Sequence, residues 1–84
     1  MKPITVYTTD HCPYCSSAKT LLKKRKLTYQ EINLARDPDG RAELSALTGM
    51  YTFPQIVVDG ETLGGFQELQ DADRAGTLKQ LLAA

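Results

Sequence analysis

The sequence predicts one α/β domain, a mixed four-stranded sheet with helices on both faces in the order β-α-β-α-β-β-α. Three observations carry this expectation. The chain has 84 residues, which is one small domain. Its first two strand-like segments are separated by a helix-like one, so they must run parallel through a right-handed crossover. Asp59-Gly60 sits between two short strand-like runs, a strong two-residue hairpin signal that makes the last pair antiparallel. A single central sheet in so short a chain needs helices layered against it.

Each element has its own warrant. Ile4-Thr5-Val6-Tyr7-Thr8 is β-branched and aromatic and reads as the first strand. Thr9-Asp10-His11 is a polar loop. Pro13 suits the first helical position, where its missing N–H costs nothing, so a helix starts there with Cys12 near its N-cap. Ala18, Leu21 and Leu22 form the apolar stripe of that helix. Lys23 to Lys26 place cations at the negative end of its dipole. Leu27 to Leu34 reads as the second strand, with Tyr29, Ile32 and Leu34 as apolar members. Asp37-Pro38-Asp39-Gly40 starts a second helix, Leu44 and Leu47 have helical spacing, and Gly49 stops it. Gln55 to Val58 and Glu61 to Leu63 are the hairpin strands, ended by Gly64-Gly65. A C-terminal helix from Phe66 carries Leu69, Ala72, Leu78, Leu81 and Leu82, with a break near Gly76.

Composition narrows the function. Ten basic and ten acidic residues give a formal net charge of zero, which argues against nucleic acid or an anionic membrane as partner. No apolar run approaches the ~20 residues of a membrane span. The first residues are too short and mixed for a signal peptide. Cys12 and Cys15 are the only cysteines, and a bond between them closes too small a loop to staple the fold. This pattern suggests a cytoplasmic protein whose cysteines do chemistry.

The sharpest motif is Cys12-Pro13-Tyr14-Cys15, a C-x-x-C after the first strand of a βαβ pattern. That context reads as a thioredoxin-like redox motif. At a helix N-terminus, unpaired N–H groups and the dipole stabilise a Cys12 thiolate, the nucleophile of disulfide exchange. Cys15 follows one turn later, close enough to attack a mixed disulfide at Cys12, and the Tyr14 ring could flank the sulfur. The competing readings are half a zinc site and a pair of inert buried thiols. A structural zinc needs four ligands, and only His11, Cys12 and Cys15 are on offer, so no metal is expected.

Two further signals are weaker. Pro54, after Thr52-Phe53, either marks the first residue of a strand or forms a cis bond that brings the Phe53 backbone beside the Cys12 sulfur. Gly64-Gly65 either ends a strand or lets backbone approach a ligand, with helix N–H groups beyond it able to hold a carboxylate. His11 reads either as a solvated loop residue or as a cation favouring the thiolate.

At these sites the chain resembles the glutaredoxin family over essentially its whole length. The resemblance rests on the opening strand with Tyr7, C-P-Y-C at Cys12 to Cys15, T-x-P at Thr52 to Pro54, D-G at the hairpin, and G-G-x-x-x-L from Gly64 to Leu69. Asp73 to Gly76 with Leu78 and Leu81 is similar to the family's last helix. The resemblance implies a thioredoxin fold, a cis Pro54, and glutathione-dependent thiol–disulfide exchange. Cys12 would attack glutathionylated or disulfide-containing proteins or small disulfides, and Cys15 or a second glutathione would release the product. Glutathione, a co-substrate, would lie along Phe53 and Thr52 beside Pro54 and against Tyr14. Its γ-glutamyl carboxylate would meet N–H groups around Gly65, Phe66 and Gln67. A monomer is expected, with no metal required.

The chain departs from the common family pattern at three places. Thr9 stands where many relatives have Lys, Phe66-Gln67 where many have Cys-Asp, and Met50-Tyr51 where basic residues often precede T-x-P. Two alternatives stay open. One is a glutaredoxin-like donor recharged by thioredoxin reductase, which Gly65-Phe66 slightly favours. The other is an iron–sulfur cluster carrier built from two chains and two glutathione thiols. Pro13-Tyr14 and Cys15 argue against the carrier, since cluster-carrying relatives usually have Gly, Phe and Ser there.

Overall fold

Strand β1 (Ile4–Thr8) lies inside a four-stranded sheet of order β2-β1-β3-β4. The computed structural model describes residues 2–83, with side chains described to residue 80. β1 pairs in parallel with β2 (Gln30–Asn33) and antiparallel with β3 (Gln55–Val58), and β3 pairs antiparallel with β4 (Glu61–Gly64). The expected mixed sheet is thus present. Asp59 and Gly60 both have positive φ, 51° and 81°, as a tight hairpin turn between twisted strands requires.

The period of two in β1 decides what the sheet buries. Ile4, Val6 and Thr8 are buried, and Thr5 and Tyr7 only half so. Ile4 and Val6 meet Ile56, then Ala18 and Leu22 of helix α1 (Pro13–Lys24) and Leu69 of helix α3 (Phe66–Arg74). Leu22 and Leu69 are fully buried. Truncating either to Ala should cost about 2–5 kcal/mol. Leu27 and Leu78 close the same core, Leu78 from helix α4 (Thr77–Ala83). Gly76, at φ 81°, separates α3 from α4 at the expected break. The expected apolar side chains Leu81 and Leu82 fall outside the described residues.

Helix α2 (Pro38–Thr48) occupies the other face. Ile56 points to the core, so its neighbour Gln55 points away, and the Gln55 amide reaches Thr48 at the end of α2. The Asp37 carboxylate caps α2 by accepting from the Gly40 N–H at 2.9 Å, and Gly49 ends it in the left-handed region at φ 74°.

Three details differ from the sequence reading. β2 is shorter than Leu27–Leu34, because Leu27 and Leu34 are buried from the flanking loops while the strand itself is a largely exposed edge. Leu47 has helical spacing from Leu44 yet is 85% exposed, since α2 buries a narrow stripe centred on Leu44. β4 runs on to Gly64, and its register with β3 slips between Ile56 and Val57. Ile56 faces Gly64 and Val57 faces Thr62, which leaves Leu63 as a bulge that bends the chain into Gly64-Gly65.

Candidate active site

Helix α1 begins where the sequence places it. Cys12 is the N-cap, with extended backbone, and Pro13 is the first helical residue. The Cys15 N–H donates to the Cys12 Sγ at 3.1 Å, so the sulfur does the work of a capping oxygen. The two cysteines are joined as a disulfide, with Cα atoms 5.2 Å apart. Their exposure differs. Cys12 is half-buried at the surface, and Cys15 is 3% exposed beneath the helix. An incoming sulfur therefore has access to Cys12 and little to Cys15. When the bond is reduced, the Cys15 N–H and the start of α1 stabilise negative charge at Cys12, the condition for a reactive thiolate.

The Thr52-Phe53-Pro54 segment reaches the same sulfur from the far side of the chain. The Phe53–Pro54 peptide is cis, and the Phe53 carbonyl oxygen lies 3.7 Å from the Cys12 Sγ. Gln55 holds this segment in place. Its side chain is fully buried, its Nε2 donates to the carbonyls of Met50 at 3.2 Å and Thr52 at 3.0 Å, and its Oε1 lies 2.8 Å from the Thr48 hydroxyl. Gln55 is a positioning residue, although by sequence it is an ordinary member of the strand Gln55 to Val58. The available signal was a polar side chain opening an otherwise apolar strand directly after Pro54.

Tyr14, Thr52, Phe53, Pro54, Gly65, Phe66 and Gln67 line a single groove of about 500 Å³. Residues from three separate motifs are thus brought together, and Phe53 connects their groove to the Cys12 sulfur. The rings of Tyr14 and Phe66 face each other at 5.9 Å, tilted by 31°, and bridge the starts of α1 and α3. Met50 and Glu68 complete the lining. Phe66 and Gln67 open α3, whose first-turn N–H groups have no partner within the helix. The Gly65 N–H has one already, because the Glu68 Oε1 accepts from it at 2.7 Å. Glu68 therefore brings a carboxylate into the groove, one residue beyond Gln67. A Glu at the third position of a helix was the sequence signal for this cap. Gly64, at φ 133°, leaves room for that side chain, since a Cβ there would come within 2.6 Å of the Glu68 Cγ.

A second hollow holds the two cysteines and His11 on the β2 side of α1. His11 has φ 54° and is exposed. In the same hollow the buried Thr8 hydroxyl donates to the Glu31 Oε2 at 2.8 Å, and the Lys19 ammonium bonds both Glu31 oxygens at 3.1 and 3.2 Å. The Thr8 hydrogen bond, with Lys19 after it, holds the Glu31 carboxyl below the usual carboxylate range against a partial burial penalty. Of the basic run, Arg25 pairs with Asp73 through bonds of 2.7 and 3.0 Å that join the ends of α1 and α3. The pair is solvated and contributes little stability.

A four-stranded mixed sheet with flanking helices, and a C-x-x-C pair at the N-terminus of the first helix, define a thioredoxin-fold thiol–disulfide oxidoreductase. Within that class the chain belongs to the glutaredoxin family, whose model matches residues 4–63. It is 43% identical to a glutaredoxin of Pseudomonas aeruginosa over 84 residues, covering 100% of both chains. It is 35% identical to glutaredoxin 3 of Escherichia coli K12, covering 98% of this chain and 99% of that one. Among solved structures, a buckwheat glutaredoxin–glutathione complex superposes with a TM-score of 0.88 at 32% identity, over 98% of this chain and 77% of that one.

Proposed function

We propose that this protein is a cytoplasmic, glutathione-dependent disulfide reductase in which Cys12 is the nucleophile and Cys15 the resolving thiol. The observation that carries the proposal is the single groove shared by Tyr14, Thr52, Phe53, Pro54, Gly65, Phe66 and Gln67, with the Phe53 carbonyl 3.7 Å from the Cys12 sulfur. A glutathione bound through its sulfur to Cys12 would lie along the Phe53 backbone and against Tyr14. Its γ-glutamyl carboxylate would accept from the Phe66 and Gln67 N–H groups. The Glu68 carboxylate, held by the Gly65 N–H, is placed to supply the negative charge for the ligand's ammonium that Gln67 lacks. The buckwheat complex supports this choice of ligand.

The reaction follows from the sulfur geometry. The Cys12 thiolate attacks the glutathione sulfur of a mixed disulfide, the old S–S bond breaks, and the departing thiolate takes a proton from water. A second glutathione thiolate then attacks the sulfur bound to Cys12, releasing glutathione disulfide and restoring the thiolate. With a protein disulfide, Cys15 performs the second attack and the Cys12–Cys15 disulfide forms. Glutathione then reduces that pair. Glutaredoxin potentials of about −200 to −230 mV make this exchange thermodynamically accessible.

The test follows NADPH consumption with a small disulfide, using glutathione plus glutathione reductase or thioredoxin reductase alone. Turnover in the first system and not the second supports the proposal, and the reverse result overturns its glutathione dependence. Cys12→Ser should abolish turnover. Cys15→Ser should retain reduction of glutathione mixed disulfides and lose reactions that need the internal disulfide.

A further inference from the structure

We propose that Asn33, on the edge strand β2, is a positioning residue for the nucleophile: its amide latches the loop that delivers Cys12 and keeps the sulfur at the start of α1. The inference rests on the redox function above. It adds a residue from a strand that contributes nothing to the lining of the glutathione groove.

The chain reaches Cys12 from β1 through Thr9, Asp10 and His11, which belong to no helix or strand. β1 ends at Thr8, whose partner across the parallel pair is Asn33. The Leu34 N–H donates to the Thr8 carbonyl at 2.9 Å and extends the ladder by one bond. Beyond it the Asn33 side chain takes over. Its Nδ2 donates to the Asp10 Oδ1 at 3.2 Å, and its Oδ1 accepts from the Ala35 N–H at 2.9 Å. The second bond demands the amide oxygen, so it turns the NH2 group toward the loop. The carboxylate acceptor makes the first bond charge-assisted.

The loop needs this hold. His11 sits at φ 54°, in the left-handed region where a Cβ crowds the following carbonyl. Cys12 then turns to extended backbone at φ −116° and ψ 96°, which sets its sulfur 3.1 Å from the Cys15 N–H. Relaxing His11 to negative φ would redirect the chain one residue before Cys12 and take the sulfur off that N–H. The bond at Asp10, one residue before His11, opposes that relaxation by fastening the loop to β2.

Glu31 does the matching job for the helix. It lies two residues before Asn33 on the same face of β2, and it bonds Lys19, one turn after Cys15. The loop before the cysteines and the helix after them are thus pinned to one strand. The titratable groups that share a hollow with Cys12 and Cys15 are Asp10, His11, Lys19 and Glu31. Asn33→Ala alters the charge of none of them, so a change in Cys12 reactivity in that variant reports the sulfur's position.

The experiment alkylates the fully reduced protein with iodoacetamide across pH and assigns the labelled cysteine by peptide mass. Tm and steady-state kinetics are recorded on the same samples. Asn33→Ala should move the Cys12 profile to higher pH, with a thiolate fraction about threefold smaller below the midpoint, as the loss of one surface hydrogen bond predicts. Its kcat for a glutathionylated peptide should fall while KM stays, because the groove around Phe53 keeps its lining. Asn33→Asp keeps the bond from the Ala35 N–H but sets a second carboxylate against Asp10, and should shift the profile at least as far. Combining Asn33→Asp with Asp10→Asn exchanges donor and acceptor at unchanged net charge, and should recover most of the loss. A lower Tm with an unmoved Cys12 profile in Asn33→Ala would overturn the positioning role, as would an exchange variant that behaves like Asn33→Asp. Wild-type Cys12 titrating like a free thiol would instead overturn the nucleophile assignment on which the proposal rests.

Discussion

Replacing Gln55 by Leu removes the side chain that ties the Met50–Thr52 loop to the sheet and α2. Two donated hydrogen bonds, to the carbonyls of Met50 and Thr52, disappear, along with the contact to the Thr48 hydroxyl. At about 1 kcal/mol net for each, the loss is roughly 3 kcal/mol, and the extra apolar contact of Leu in a fully buried site offsets about 1 kcal/mol of it. A net loss of about 2 kcal/mol in a chain of this size lowers Tm by roughly 8–16 °C. The loop leads directly into Phe53, so the variant should also raise KM for a glutathionylated peptide severalfold while leaving Cys12 alkylation unchanged. Gln55→Glu sharpens the test. A buried carboxylate facing two carbonyls is disfavoured, so the folded protein raises its pKa. The deficit of that variant is smallest below the ordinary glutamate pKa, where the acid is protonated and donates one bond. It grows as pH rises through the raised value. Thermal melts at several pH values, with steady-state kinetics on the same samples, read both effects. A Tm drop under about 3 °C with unchanged KM would refute the positioning role.

Three other outcomes follow from the geometry. Cys12, capped by the Cys15 N–H at 3.1 Å, should react with iodoacetamide with an apparent pKa well below the free thiol value of about 8.5, and ahead of the buried Cys15. Gln67→Asp adds a second carboxylate beside Glu68 and should tighten a glutathionylated peptide by a few-fold at low salt and less at high salt; an unchanged or weaker apparent affinity would mean that the Gln67 side chain, which donates to Asp71 at 3.0 Å, does not face the ligand, and would remove it from the glutathione site. Glu31 has a depressed pKa, chiefly through Thr8, so its stabilisation is present above the ordinary carboxylate value and lost as pH falls through the depressed one. Glu31→Gln should therefore lower Tm at pH 7, by the equivalent of about 1 kcal/mol or less in this partly solvated pair, and the gap should close toward pH 3.

The features legible in the sequence were those set by local chemistry. Pro13 after Cys12 announces a helix start because proline tolerates the first helical turn, and Asp59-Gly60 announces the hairpin because both residues accept positive φ. The grouping of Tyr14, Thr52 and Gly65 into one groove came from family resemblance, since no periodicity relates residues so far apart. The cis state of Pro54 came the same way. What stayed illegible depends on tertiary partners. Gln55 matters because Thr48, Met50 and Thr52 surround it, and Glu68 because it folds back on Gly65. Leu47 misleads for the same reason, since its spacing matches a stripe that α2 does not bury at that position.

The sheet also separates the molecule into two ends. β1 runs toward Cys12, while β3 runs antiparallel to it, with Val58 beside Ile4, so the Asp59-Gly60 turn lies at the opposite end from the cysteines. Both turn residues are exposed, and a Cβ at Gly60 would meet nothing within 4 Å. The chain can therefore be interrupted at that turn for a fluorophore, an affinity handle or a fused reporter, a full strand length from the two cysteines.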